Sequence, residues 1–141
     1  MLTCRLTSQV IAAAPRREDI RPMDILERLA WLGLALIHLS PATAVFRPGG
    51  LARLYGAKPG ETLSLLLEHR SLLFTGILAL CLWSALDPHP RPAAALATAI
   101  SVLGYLALYI RHGLPKGPMR TIAQVDLLAV PLLALVALPL V

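Results

Sequence analysis

The chain has 141 residues, of which 57% are hydrophobic and only 15% charged, and its mean hydropathy is +0.69. That apolar share is well above that of an ordinary soluble domain, so water is not the main solvent of this chain. The net charge of +5 with a pI near 9.9 does not indicate nucleic acid, because the Lys and Arg residues sit between apolar runs without basic-aromatic interleaving. They read as topology signals beside anionic lipid headgroups.

Residues 1–22 hold Arg5, Arg16, Arg17, Glu18, Asp19 and Arg21, and the apolar stretch Val10 to Ala14 is too short for a signal-peptide core. The tail is expected to be disordered, and Met23, just before the first long apolar run, is an alternative start. Four apolar runs follow, at about 25–46, 63–86, 93–110 and 121–141, each near the ~20 residues that cross a bilayer. The expected fold is all-α: a single four-helix transmembrane domain over 23–141, running up-down-up-down.

The first connection contains Pro48-Gly49-Gly50, then Leu51 to Gly56, then Pro59-Gly60, which predicts a short interfacial helix between two breakers, with Tyr55 among headgroups. The second, Asp87-Pro-His-Pro-Arg-Pro92, is a tight stop that makes runs two and three antiparallel neighbours. The third, His112 to Arg120, is a polar loop. Trp31 and Trp83 are expected in the same leaflet, and Ala97, Ser101 and Gly104 on a face that lets a neighbouring helix approach. The first and third connections hold most of the cations, so with Met23 as the start they face the cytoplasm; the tail's arginines nearly balance that count.

Ionisable groups inside lipid are costly, which makes each one a functional candidate. His38 in run one, Glu68, His69 and Arg70 in run two, Tyr105 and Tyr109 at the end of run three, and Asp126 in run four all fall toward the side of the first and third connections. Pro41 and Pro131 deprive the carbonyls of Ile37 and Leu127 of their helical donors at the same depth. Three readings of this layer stand. It is a pocket for a quinone-like or lipid-like molecule, with His69 and Arg70 on the polar head and Asp126 balancing charge. Alternatively it is interhelical glue in an accessory or structural subunit, with Asp126 paired to Arg70 and His38 bonded to Ser40, Tyr105 or a carbonyl. The third is a haem b site ligated by His38 and His69. A proton relay through His38, His69 and Asp126 also remains open. No nucleophile elbow, HExxH or phosphate loop is present, and Cys4 and Cys81 form neither a CxxC pair nor a disulfide framework.

The runs Gly33 to Pro41 (GLALIHLSP), Leu54-Tyr55-Gly56, Glu68 to Gly76 (EHRSLLFTG) and Val125-Asp126-Leu127 resemble a family of small bacterial four-span membrane proteins. Its members are often labelled phosphopantetheine adenylyltransferase. The resemblance covers about 25–135 and implies a multi-pass protein of the bacterial inner membrane. Any functional positions it transfers are His38, Glu68, His69, Arg70 and Asp126. The label itself implies a soluble α/β enzyme with an HxGH motif, and this chain has neither the motif nor alternating strands, so that activity is not carried over. In span number and size the chain is also similar to DoxX-like proteins, some of which are associated with quinone-linked oxidoreduction; this is analogy at the level of fold. The partners expected are the lipid bilayer, a small apolar ligand, and a membrane-protein partner or a second copy.

Overall fold

The computed structural model describes residues 22–46, 49–55 and 60–140. The N-terminal tail, Gly56 to Pro59 and the side chain of Tyr55 lie outside the described residues, and with them the expectations placed there. Five α-helices are described: α1 (Pro22–Thr43), the short α2 (Gly50–Tyr55), α3 (Glu61–Leu86), α4 (Arg91–Arg111) and α5 (Pro118–Ala137). Single 3-10 turns follow α1 and α5, at Ala44–Phe46 and Leu138–Leu140. No strand occurs among the described residues. At 1.5 Å per residue the four long helices measure about 30 to 39 Å, which matches the ~30 Å hydrocarbon core of a bilayer.

Each boundary has a local cause. Asp87 ends α3: its N–H reaches the carbonyl of Trp83, and Pro88 and Pro90 then deny the backbone further donors. Within that turn the backbone N–H and the ring of His89 both meet Asp87 Oδ1, at 2.9 and 2.7 Å. Those contacts hold the Asp87 carboxyl below the usual carboxylate range. α4 closes in a Schellman motif, in which Gly113, at φ 76°, donates to Ile110 and Leu114 donates to Tyr109. Gly117, at φ 85°, and Pro118 at the first helical position then start α5.

Contacts between helix ends fix the topology. Near its start α1 meets the end of α3 and the start of α4, through Glu27, Ser84 and Arg91. Near its end α1 meets the early part of α3, through His38 and Phe74. Tyr105, late in α4, bonds Met119 at the start of α5. The long helices therefore run up, down, up and down. They form a ring in which α1 packs on α3 and α5, and α4 closes the other two sides.

The bundle is apolar without as well as within, unlike a water-soluble protein, which draws its large apolar side chains inside. Leucines and isoleucines stand exposed along every long helix, among them Leu29, Leu36, Leu66, Leu73, Ile100, Leu127 and Leu128. A soluble monomer rarely exposes apolar patches beyond a few hundred Å². The interior, by contrast, holds Glu27, His38, Ser71, Ser84 and Thr98 beside small apolar residues such as Ala30, Ala35, Ala94 and Ala129. Four helices are long and apolar enough to cross a membrane, and with this surface the chain is a multi-pass membrane protein.

Small residues bring helices together, but not where the sequence suggested. Close contact of α4 is made by Ala94, Ala95, Thr98 and Val102, which are buried. Ala97, Ser101 and Gly104 instead line an open groove between α3 and α4, and a Cβ added at Gly104 would meet nothing within 4 Å. At Gly33 the approach is real, since a Cβ there would lie 3.0 Å from Leu132 Cδ1 on α5. The choice of face was decided by which side of α4 the ring of helices closes on, a tertiary fact that residue spacing does not carry. Trp31 and Trp83 stand at the same end of the bundle, as expected of one leaflet, but the Trp31 side chain is fully buried, whereas Trp83 is 56% exposed. The Trp31 ring fills the core, so only Trp83 is placed as a belt residue would be.

Candidate functional site

α1, α2, α3 and α5 enclose a cavity of about 160 Å³ near the end of the bundle that carries α2. α1 contributes Ile37, His38, Ser40 and Pro41, and α2 contributes Leu54. From α3 come Arg70 and Phe74, and from α5 Thr121, Ile122, Val125 and Asp126. Most of the lining is apolar, with one imidazole, one guanidinium, one carboxyl and two hydroxyls converging on it. Few polar groups on an apolar wall are the usual composition of a small-molecule site.

Helix periodicity places His38 here. Glu27, Trp31, Leu34, His38 and Ala42 are spaced by three or four residues and form the buried face of α1. The His38 ring meets the carbonyl of Leu34, one turn back, at 2.8 Å through Nδ1. A carbonyl only accepts, so Nδ1 is the donor, and in the neutral ring Nε2 is then an acceptor with no protein partner among the described residues. The ring also packs on Phe74, centroid to centroid 5.8 Å. Pro41 stands within α1, so the carbonyl of Ile37 lacks its helical donor at the cavity wall. The equivalent carbonyl at Leu127 belongs to a residue that does not line the cavity.

Arg70 lies between two aromatic rings, its guanidinium carbon 5.3 Å from the centroid of Phe74 and 5.6 Å from that of Tyr105. Both distances are within the range of cation–π attraction. The same side chain lines the cavity and the outer groove between α3 and α4. Asp126 faces the cavity from α5, yet the ion pairs among the described residues are Arg91–Glu27 and His89–Asp87. Arg70 and Asp126 therefore share a cavity without direct contact, unlike the pairing expected from a glue layer.

The remaining candidates lie elsewhere. His69 is exposed on the outer face of α3, where the ~100° turn between successive helical residues carries it away from Arg70's side of the helix. The haem reading needs both imidazoles at one cavity, and only His38 is there. Glu68 accepts a hydrogen bond from Ser64 at 3.1 Å and lines a shallow surface groove with Glu61 and Thr62. Tyr105 donates to the carbonyl of Met119 at 3.0 Å, and Tyr109, stacked on it at 6.3 Å, donates to that of Pro115. These two hydroxyls fasten α4 to the start of α5 and to the loop before it. Among the described residues no group of three His, Cys, Asp or Glu could hold a metal ion.

One polar cluster was not anticipated from sequence. At the opposite end of the bundle Arg91 Nη1 lies 2.9 Å from Glu27 Oε2, with both side chains largely buried, and Arg91 Nε donates to the Ser84 carbonyl at 3.1 Å. The signal was present in the spacing of Glu27 and His38, eleven residues apart and so on one helix face. Arg91 sat in a proline-rich turn and read as a charge marking the membrane edge.

Comparison with protein-family models, with curated proteins and with solved structures finds no match to this chain.

Proposed function

We propose that this is a bacterial inner-membrane protein that binds the polar ring of a quinone-like amphiphile in the cavity beside α2. The observation that carries the reading is the convergence of His38, Arg70 and Asp126, from three separate helices, on one mostly apolar cavity. Neither His38 nor Asp126 is bonded to a neighbouring helix among the described residues, which favours a binding role over one that only locks helices together.

Size and charge narrow the ligand. An apolar cavity of about 150 Å³ takes one benzene-sized ring, so a cavity of about 160 Å³ takes a single ring and not a whole lipid. The apolar tail would lie outside, against the exposed leucines. Arg70 offers donors to a carbonyl oxygen, while His38 Nε2 and the Asp126 carboxyl accept from a hydroxyl. A neutral head with carbonyl or hydroxyl oxygens meets both needs. The cavity's size, enough for a single ring, ranks a phospholipid below a quinone. The resemblance to small four-span proteins includes the same His38, Arg70 and Asp126, and assigns no reaction.

The test is a titration of detergent-solubilised protein with a short-tailed 1,4-benzoquinone, read by equilibrium dialysis. Saturable binding that weakens at least about tenfold in Arg70→Ala, the loss of one charge-assisted hydrogen bond, would support the reading. Unchanged binding in both Arg70→Ala and Asp126→Ala, or equal affinity for an anionic lipid, would refute it.

A further inference from the structure

The far end of the bundle holds buried polar groups that the proposed cavity does not use. Glu27 and Trp31 occupy successive turns on the buried face of α1, Ser84 lies in the last turn of α3, and Arg91 opens α4. On the residues of this end of the bundle three buried atoms have no hydrogen-bond partner in the protein: Glu27 Oε1, Trp31 Nε1 and Ser84 Oγ. Trp31 and Ser84 are fully buried and Glu27 is 8% exposed, so bulk solvent does not satisfy them as they stand. Side chains on a helix lean toward its N-terminus, which lays the Trp31 indole over the turn that carries Glu27. Arg91 ties Ser84 to the same spot through that residue's carbonyl.

The three atoms define what would satisfy them. Glu27 Oε1 only accepts, Trp31 Nε1 only donates, and the Ser84 hydroxyl does either. A complementary ligand must therefore donate and accept at once. It must be neutral, because Arg91 already faces Glu27 at 2.9 Å. It must also be small, because the neighbouring Ala30, Ala85 and Leu34 are packed with at most 3% exposure. Water meets all three conditions, and a buried water typically makes about three hydrogen bonds to otherwise unpaired groups.

We propose that Glu27, Trp31, Ser84 and Arg91 form a hydrated inlet entered from the face of the Asp87–Pro90 turn. A bound water accepts from Trp31 Nε1–H and donates to Glu27 Oε1 and Ser84 Oγ. Leu34, one turn deeper on α1 and fully buried, closes the inlet from below. The buried face of α1 then presents a polar group to each side of the membrane, Glu27 to one and His38 to the other, separated by Trp31 and Leu34. This inference does not depend on the identity of any ligand at the cavity beside α2.

Two tryptophans in the chain make the inlet readable. In a Trp83→Phe variant the full chain, solubilised in detergent and labelled with 15N, gives one indole N–H signal, that of Trp31. The proposal expects a direct cross-relaxation peak between this proton and a long-lived water. In addition, Ser84→Ala should shift the signal and speed its exchange with solvent by up to about tenfold, the equivalent of one hydrogen bond. If Ser84→Ala fails to fold, the water peak in the parent variant decides alone. Absence of that peak overturns the inlet. So does an indole signal that moves in Glu27→Gln but not in Ser84→Ala, since that pattern marks a direct bond between the indole and the carboxylate.

Discussion

Removing one partner of the Arg91–Glu27 pair should be among the costliest single changes in this protein. The two side chains are 14% and 10% exposed, so water screens them weakly, and their contact of 2.9 Å joins α4 to α1. Arg91 also holds the end of α3 through the Ser84 carbonyl, so one guanidinium fastens three helices. In Arg91→Met the Glu27 carboxylate loses its cation, and Oε1 has no other protein partner. Breaking a buried pair in this way costs about 3–5 kcal/mol, whereas replacing both partners by apolar groups of similar volume is often neutral or stabilising. The expected pattern is therefore a loss of about 3–5 kcal/mol in Arg91→Met, a comparable loss in Glu27→Leu, and recovery of most of it in the double variant. Reversible unfolding in mixed micelles, followed by circular dichroism, measures all three. Costs below about 1 kcal/mol for each single variant, the range of solvent-exposed pairs, would refute the claim that this pair is buried and structural.

Four further outcomes follow from local geometry. Gly104→Ala should stabilise by about 0.5–1 kcal/mol, because a Cβ there meets nothing and α4 gains helix propensity. Gly50→Ala should destabilise by about 1–3 kcal/mol, because its Cβ would strike the backbone carbonyl of Ala44; thermal unfolding of the two variants side by side checks both signs. Brominated lipid should quench Trp83 and spare Trp31, so Trp83→Phe should abolish most of the quenching and Trp31→Phe little of it. In the Asp87 turn the carboxyl's value is depressed on folding, first by the His89 backbone N–H and then by its ring. Its stabilising contribution is complete above the unfolded value and is lost as pH falls through the depressed one. A 13C carboxyl titration should place the Asp87 midpoint below the usual carboxylate range, and His89→Ala should raise it only partway, since the backbone contact stays.

Much of the architecture was legible because lipid imposes a strong rule. An apolar run of about 20 residues closed by proline or glycine permits little besides a spanning helix, so all four runs and the short helix at Gly50–Tyr55 follow from sequence. Helix ends shifted by two to four residues where capping decided them, as at Pro118, which starts α5 three residues earlier than the apolar run does. Side-chain direction was less legible. Depth can be counted along a helix, and it places Glu68, His69 and Arg70 close together. Only the angular position separates Arg70, which lines the cavity, from His69, which does not, and that angle is set by how α3 packs on α1. The burial of Trp31 and Glu27 escaped notice for a related reason. Aromatic and acidic residues near a span end suggest the membrane interface, and only the 27-31-34-38 spacing shows that they share the buried face with His38.

Mass spectrometry of the protein released intact from mild detergent would test the central claim most directly. Wild-type protein should carry a near-stoichiometric neutral amphiphile with a single oxygenated ring. Val125→Trp, which fills the cavity from α5 and leaves Arg70 and Asp126 unchanged, should lose it while remaining folded. A wild-type protein that carries only anionic phospholipid, or a Val125→Trp variant that keeps the same bound molecule, would contradict a ring-binding cavity formed by His38, Arg70 and Asp126.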